Sequence, residues 1–188
     1  IDRGLVGSEM CIRDRPFTDV YGDMNDLSSD KKQLIAEYKK LLTNEAVSKG
    51  DIHAGKAIYD RTCSACHVLY GKGGKIGPDL TGSNRADLNY ILLNMLDPSG
   101  DIPEAYQLVT VTKNDGQIIA GTVSDEDHQR LILNSVGLQN TVLKSDIKER
   151  ATSPYSMMPE GLLLTLADKD VIDLVKYLRT SEPVATKP

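Results

Sequence analysis

The chain has 188 residues, room for one domain or one domain with an extension, and a hydrophobic fraction of 40% that can supply a core. Its formal net charge of −5 argues against nucleic acid or an anionic membrane surface as a partner. No apolar run reaches the roughly 18 residues that a membrane-crossing helix needs, so no span is expected.

In chain order, the first feature is LVGSEMCIRDR at positions 5–15. It looks like the translation of a sequencing-library adapter, so residues 1–15 are expected to lie outside the fold, and Cys11 with them. Residues 16–27 are polar and read as linker. A helix is predicted over 28–42, because Leu34, Ile35, Tyr38, Leu41 and Leu42 fall on one stripe and Ser28 or Ser29 can cap it. SKGD at 48–51 breaks it, and Asp51 can cap a second helix that runs to about Asp60. Residues 16–48 thus read as a linker and helix before a domain over 49–182, with 183–188 as a tail.

The second helix feeds into TCSACH at 62–67. Two of the chain's three cysteines stand here, three positions apart, with His67 beside them. Three chemistries ask for this kind of cluster. A redox pair wants a βαβ pattern around it and has no use for the histidine. A structural zinc site needs four ligands, and the remaining candidates, Cys11, His53 and His128, are scattered. Cys-x-x-Cys-His is also the signature of c-type haem attachment. The thiols of Cys63 and Cys66 would add to the two porphyrin vinyl groups, and His67 would ligate the iron. The pentapeptide favours haem and leaves the other two open.

Residues 71–82 are rich in glycine and predict a loop that wraps something closely. A helix is predicted over 86–96, with Tyr90, Ile91, Leu92, Met95 and Leu96 on its apolar side and Asp97-Pro98 stopping it. The period then changes to two. YQLVTVT and IIAGTVS flank the turn signal KNDGQ and predict a hairpin, and RLILN and NTVLK read as two more strands. A small antiparallel β unit, barrel-like, is therefore expected as an insertion at about 104–150. A last helix is predicted over 168–179, with Asp168 and Asp170 at its start, Lys176 and Arg179 at its end, and Val171, Leu174, Val175 and Leu178 on its buried face. The expected class is mainly α, a helical haem domain with an inserted β unit.

A six-coordinate haem iron needs a ligand on the face opposite His67, and in electron-transfer cytochromes this is commonly Met. The sequence offers SPYSMMPEG at 153–161. Pro159 favours an extended conformation for the residue before it. Neighbouring side chains of an extended segment point to opposite sides, so only one of Met157 and Met158 is expected to face the iron. Met158 is the expected ligand. The bland alternative is a pair of gap-filling core methionines.

Five blocks, GKAIYDRTCSACH, GKIGPDLTGSNRADLNYILLNMLDPS, KNDGQIIAG, SMMPEGL and DLVKYLRT, occur in an order that resembles class I c-type cytochromes. The resemblance is closer still to the haem-binding domain at the C-terminal end of large dehydrogenase-like proteins of planctomycetes and verrucomicrobia, and it covers about Lys39 to Thr180. It implies one covalently bound haem c, held by Cys63 and Cys66, with His67 as proximal and Met158 as distal ligand. It implies that the Pro78 carbonyl accepts the second ring proton of His67, which fixes the ring, and that Leu80 packs on the haem. It places the helix before the motif across the last helix, with Gly55 allowing close approach and Tyr59 near Leu174 and Tyr177. Arg85 would pair with a haem propionate or cap a helix at the surface.

The implied activity is electron transfer by a carrier that is not itself an enzyme, with electrons entering from a redox partner protein or a fused dehydrogenase. His67 and Met158 are 91 positions apart, and the β unit that fills much of the gap is expected to dock a partner. Haem is attached to such proteins outside the cytoplasmic membrane. The expected location is therefore periplasmic or otherwise exported, and the chain, in which no signal peptide is visible, is expected to be a piece of a longer protein. Two rivals are carried forward. One is a haem-based sensor or peroxidase-like protein with a labile sixth ligand. The other is a zinc-binding interaction module.

Overall fold

The computed structural model describes residues 27–185. The adapter-like segment, Cys11 and most of the expected linker lie outside the described residues.

Short polar side chains set the helix starts by accepting N–H groups that a first turn leaves unpaired. Ser28 caps α1 (Ser29–Leu41), Thr43 caps α2 (Asn44–Lys49), Asp51 caps α3 (Ile52–Thr62) and Asp87 caps α4 (Leu88–Leu96). The last helix, α5 (Asp168–Leu178), has no side-chain cap and carries Asp168 and Asp170 in its first turn, where the helix dipole favours negative charge. Sequence reasoning missed α2, whose six residues are too few for a period to show.

One hydrophobic core joins the helices. Ile35 and Leu42 reach it from α1 and its end, Ile58 and Tyr59 from α3, Leu92 and Leu96 from α4, and Leu174 and Val175 from α5. Helices α3 and α5 cross at Gly55. A Cβ built there would stand 2.0 Å from the Asp173 carbonyl oxygen, so only glycine lets the two backbones meet. The rings of Tyr59 and Tyr177 pack beside the crossing with centroids 5.5 Å apart.

Between α4 and α5 the chain builds a five-stranded antiparallel sheet from β1 (Leu108–Lys113), β2 (Ile118–Glu126), β3 (Arg130–Ser135), β4 (Leu138–Leu143) and β5 (Ile147–Thr152). The spatial order is β4-β3-β2-β1-β5. Val109, Val111, Leu131, Leu133 and Val142 form a second core, separate from the helical one. A 3₁₀ turn at Lys144–Asp146 turns the chain after β4, and β5 pairs with β1, with Val109 opposite Thr152. The insertion therefore enters and leaves through neighbouring strands. Its ends are tied by the Ser153 N–H, which donates to the Leu108 carbonyl at 2.8 Å.

This corrects the expected class. Among the described residues, helices including 3₁₀ turns account for 38% and strands for 22%, so the chain is not mainly α but a helical unit joined to a complete β unit with its own core. The strand missed from sequence is β5. It is almost wholly exposed, and its residues, IKERAT, lack the alternation that marks a half-buried strand.

Candidate cofactor site

The end of α3 lays down the Cys-x-x-Cys-His turn. Cys63 is the C-terminal cap residue, with its N–H bonded to the Tyr59 carbonyl. The N–H groups of Cys66 and His67 both return to the Cys63 carbonyl, at 3.0 and 2.9 Å. Two thiols and an imidazole thus leave one tight turn. The cysteines are half-buried and not bonded to each other. Burial pushes the Cys63 thiol above its ordinary pKa, which keeps the proton on sulfur. Behind the turn, the Tyr59 hydroxyl donates to the His67 carbonyl at 2.9 Å. Burial also raises the Tyr59 pKa, so this donor keeps its hydrogen.

The glycine-rich loop is stitched to the turn by backbone bonds. Gly74 N–H donates to Ser64, Gly77 N–H to Cys66 and Leu80 N–H to Val68, all at 2.8–2.9 Å. That brings the Pro78 carbonyl to 3.0 Å from His67 Nδ1. A carbonyl oxygen only accepts, so Nδ1 carries the proton and Nε2 keeps its lone pair. Burial, which outweighs the Pro78 bond, holds the imidazole below its ordinary pKa and therefore neutral at pH 7. The ring lies against Gly77, where a Cβ would come within 2.6 Å of Cε1. Any side chain there would move the imidazole.

Cys63, Cys66 and His67 border a cavity of about 550 Å³, within the range of cofactor sites. Pro78 and Leu80 line it too, and so do both Met157 and Met158. Residues 157–158 form a bend and both methionines border the cavity, so the lining alone does not separate them. Met158 also packs against the helical core. The structure brings all six sequence-predicted site residues to one cavity.

Arg85 lines the same cavity, but it is not a residue of the surface. It is 7% exposed, and its guanidinium donates to the carbonyls of Leu80, Thr81, Leu178 and Thr180. It also lies over the Tyr70 ring, 5.3 Å from the centroid. It ties the loop after the Pro78 turn to the C-terminal end of α5, whose carbonyls attract positive charge. Leu27, just ahead of α1, also lines the cavity and was read from sequence as linker. No local signal could have found it, since its role depends on where α1 packs. Among the described residues, no three or more His, Cys, Asp or Glu side chains are grouped to hold a metal ion. Among those residues, the cysteine pair and His67 have no further partner of the kind a structural zinc site needs.

The family model for cytochrome c matches residues 52–182, well over half of the chain. The chain belongs to the cytochrome c family. No match was found among curated proteins. Membership of the cytochrome c family implies haem c as the cofactor, haem-based electron transfer as the general function, and a redox partner. The residues of this cytochrome fit that group. A neutral histidine with its Nδ1 proton engaged offers Nε2 as a ligand, two thiols border the same cavity, and two thioethers lie at its lining. No described helix is long and apolar enough to cross a membrane.

Proposed function

We propose that this cytochrome carries a single haem c, held by thioether bonds from Cys63 and Cys66, with His67 and Met158 as the axial ligands. The observation that carries the reading is the His67–Pro78 bond beside a cavity that the cysteine pair and the Met158 loop share. Bound haem supplies a one-electron ferric/ferrous couple. The polypeptide supplies the rest. The Pro78 carbonyl fixes the imidazole and raises the basicity of Nε2. Ile76 and Leu80 help keep water out of the cavity. The Met158 thioether, soft and neutral, favours the ferrous state and so raises the reduction potential.

The finer reading follows the five resembling blocks. The chain is a domain over residues 49–182 of a longer exported protein, located in the periplasm or its equivalent. It accepts electrons from a fused or partner dehydrogenase and is not an enzyme in itself. The β unit, which stands on two neighbouring strands with a core of its own, serves to dock that partner.

The ligand assignment is tested by ferric absorption spectra and potentiometry. Met158→Ala is expected to abolish the weak far-red charge-transfer band of Met ligation and to lower the potential, whereas Met157→Ala does neither. The reverse result would move the ligand to Met157. A wild-type ferric spectrum with no such band would instead favour a sensor or peroxidase-like site with a labile sixth position.

A further inference from the structure

Helix α1 lies outside the region that the cytochrome c family model matches, yet it reaches the loop that carries Met158. Its Lys31 ammonium contacts two carboxylates from different parts of the chain. One is Asp97, in the turn that ends α4, and the other is Glu160, two residues beyond Met158, at 3.2 Å. The same turn holds the loop a second time. The Ser156 N–H donates to Ser99 Oγ at 3.1 Å, and the Met158 N–H donates to Ser156 Oγ at 3.1 Å. The turn after α4 is thus the anchor of the methionine loop, and Lys31 bridges anchor and loop. Ile35, farther along α1, is buried in the helical core, so the lysine is presented from a fixed element.

Charge makes the bridge matter. Asp97 and Glu160 each bring a carboxylate, and the Lys31 ammonium stands between them. The Asp97 side chain is only 16% exposed and Lys31 27% exposed, so water screens that contact less than an ordinary surface pair. Without the ammonium, two carboxylates would face each other across the junction of loop and anchor, and their repulsion would favour an open loop.

We propose that Lys31 is a positioning residue that latches the methionine loop over the cavity and limits the access of foreign ligands to the distal side. This rests on the reading that Met158 is the distal ligand. Lys31 itself touches neither the haem nor the iron. The latch would separate a carrier with a protected sixth site from a protein whose thioether is easily displaced.

Imidazole competition with the holoprotein tests the latch, with binding to the ferric form followed by the loss of the far-red band. Lys31→Gln is expected to keep the band at rest and to bind imidazole about two- to five-fold more tightly than wild type, the range of a partly exposed ion pair. Lys31→Arg is expected to stay near wild type. The decisive variant is the double substitution Lys31→Gln/Glu160→Gln. Removing the second charge relieves the repulsion, so its imidazole affinity is expected to fall back towards wild type. A merely structural lysine would give effects that add instead. Unchanged affinity in Lys31→Gln, or a double variant that binds imidazole more tightly still, would overturn the latch while leaving Met158 in place. A wild-type protein without the far-red band would overturn the ligand assignment, and the latch would fall with it.

Discussion

Single residues hold this site by hydrogen bonds that join separate parts of the chain. Arg85 is the clearest instance. A rigid planar fork lets it serve carbonyls from the loop after Pro78 and from the end of α5 at once. Arg85→Leu would leave those carbonyls without their donor in a buried place, at roughly 1–3 kcal/mol for each group that water cannot reach. A loss of about 3 kcal/mol or more is expected in denaturant unfolding of the holoprotein, and Arg85→Lys should not restore it, because a point charge cannot fork. A loss below about 1 kcal/mol in Arg85→Leu would show that water takes over the carbonyls. The sequence carried little sign of this role. An arginine near a helix start reads as a surface residue, and only the fold reveals that α5 ends beside it. His67 and Pro78 are the opposite situation. Their partnership was legible because the resembling motif places both, and the 3.0 Å contact follows from backbone pairing of the loop with the turn.

At the level of elements, the crossing of α3 and α5 sets where the cysteine pair emerges. Gly55 permits the contact, and two side chains of α5 tie it to the start of α3. The buried Asp173 carboxylate accepts the Asp51 N–H at 2.7 Å, while the Lys176 ammonium donates to the carbonyls of Ser48 and Gly50, each at 2.7 Å. Gly55→Ala would drive a methyl group into the Asp173 backbone, which cannot swing aside as a side chain would. Overpacking of this kind costs about 1–3 kcal/mol, partly offset by the roughly 1 kcal/mol that alanine gains over glycine inside a helix. A net destabilisation, read as a lower denaturant midpoint, is expected. A midpoint at or above wild type would mean that the helices can separate freely. Helices α3, α4 and α5 were legible because each pairs a stripe of apolar residues with a polar start. Strand β5 was not, since it is defined by its pairing with β1 at the far end of the insertion and not by its own residues.

The molecule as a whole has two cores. The helices share one and the sheet keeps another, joined through neighbouring strands at the point where the insertion starts and ends. Sequence periodicity identified β1 to β4 and missed β5, and the expectation of a mainly α chain failed because the β unit is a complete sheet with its own core. The site was easier to read than the fold around it. Covalent chemistry confines its residue types to a short motif, whereas the contribution of Leu27 and α1 comes from packing across the chain. Everything functional in this account depends on haem bound through Cys63 and Cys66. The most direct test is to produce the chain in a host equipped for cytochrome maturation, denature it, separate it on a gel and stain for haem peroxidase activity. The account predicts a stained band that migrates with the polypeptide and is lost when both cysteines are replaced by alanine. A polypeptide band that carries no stain in the wild type would contradict it.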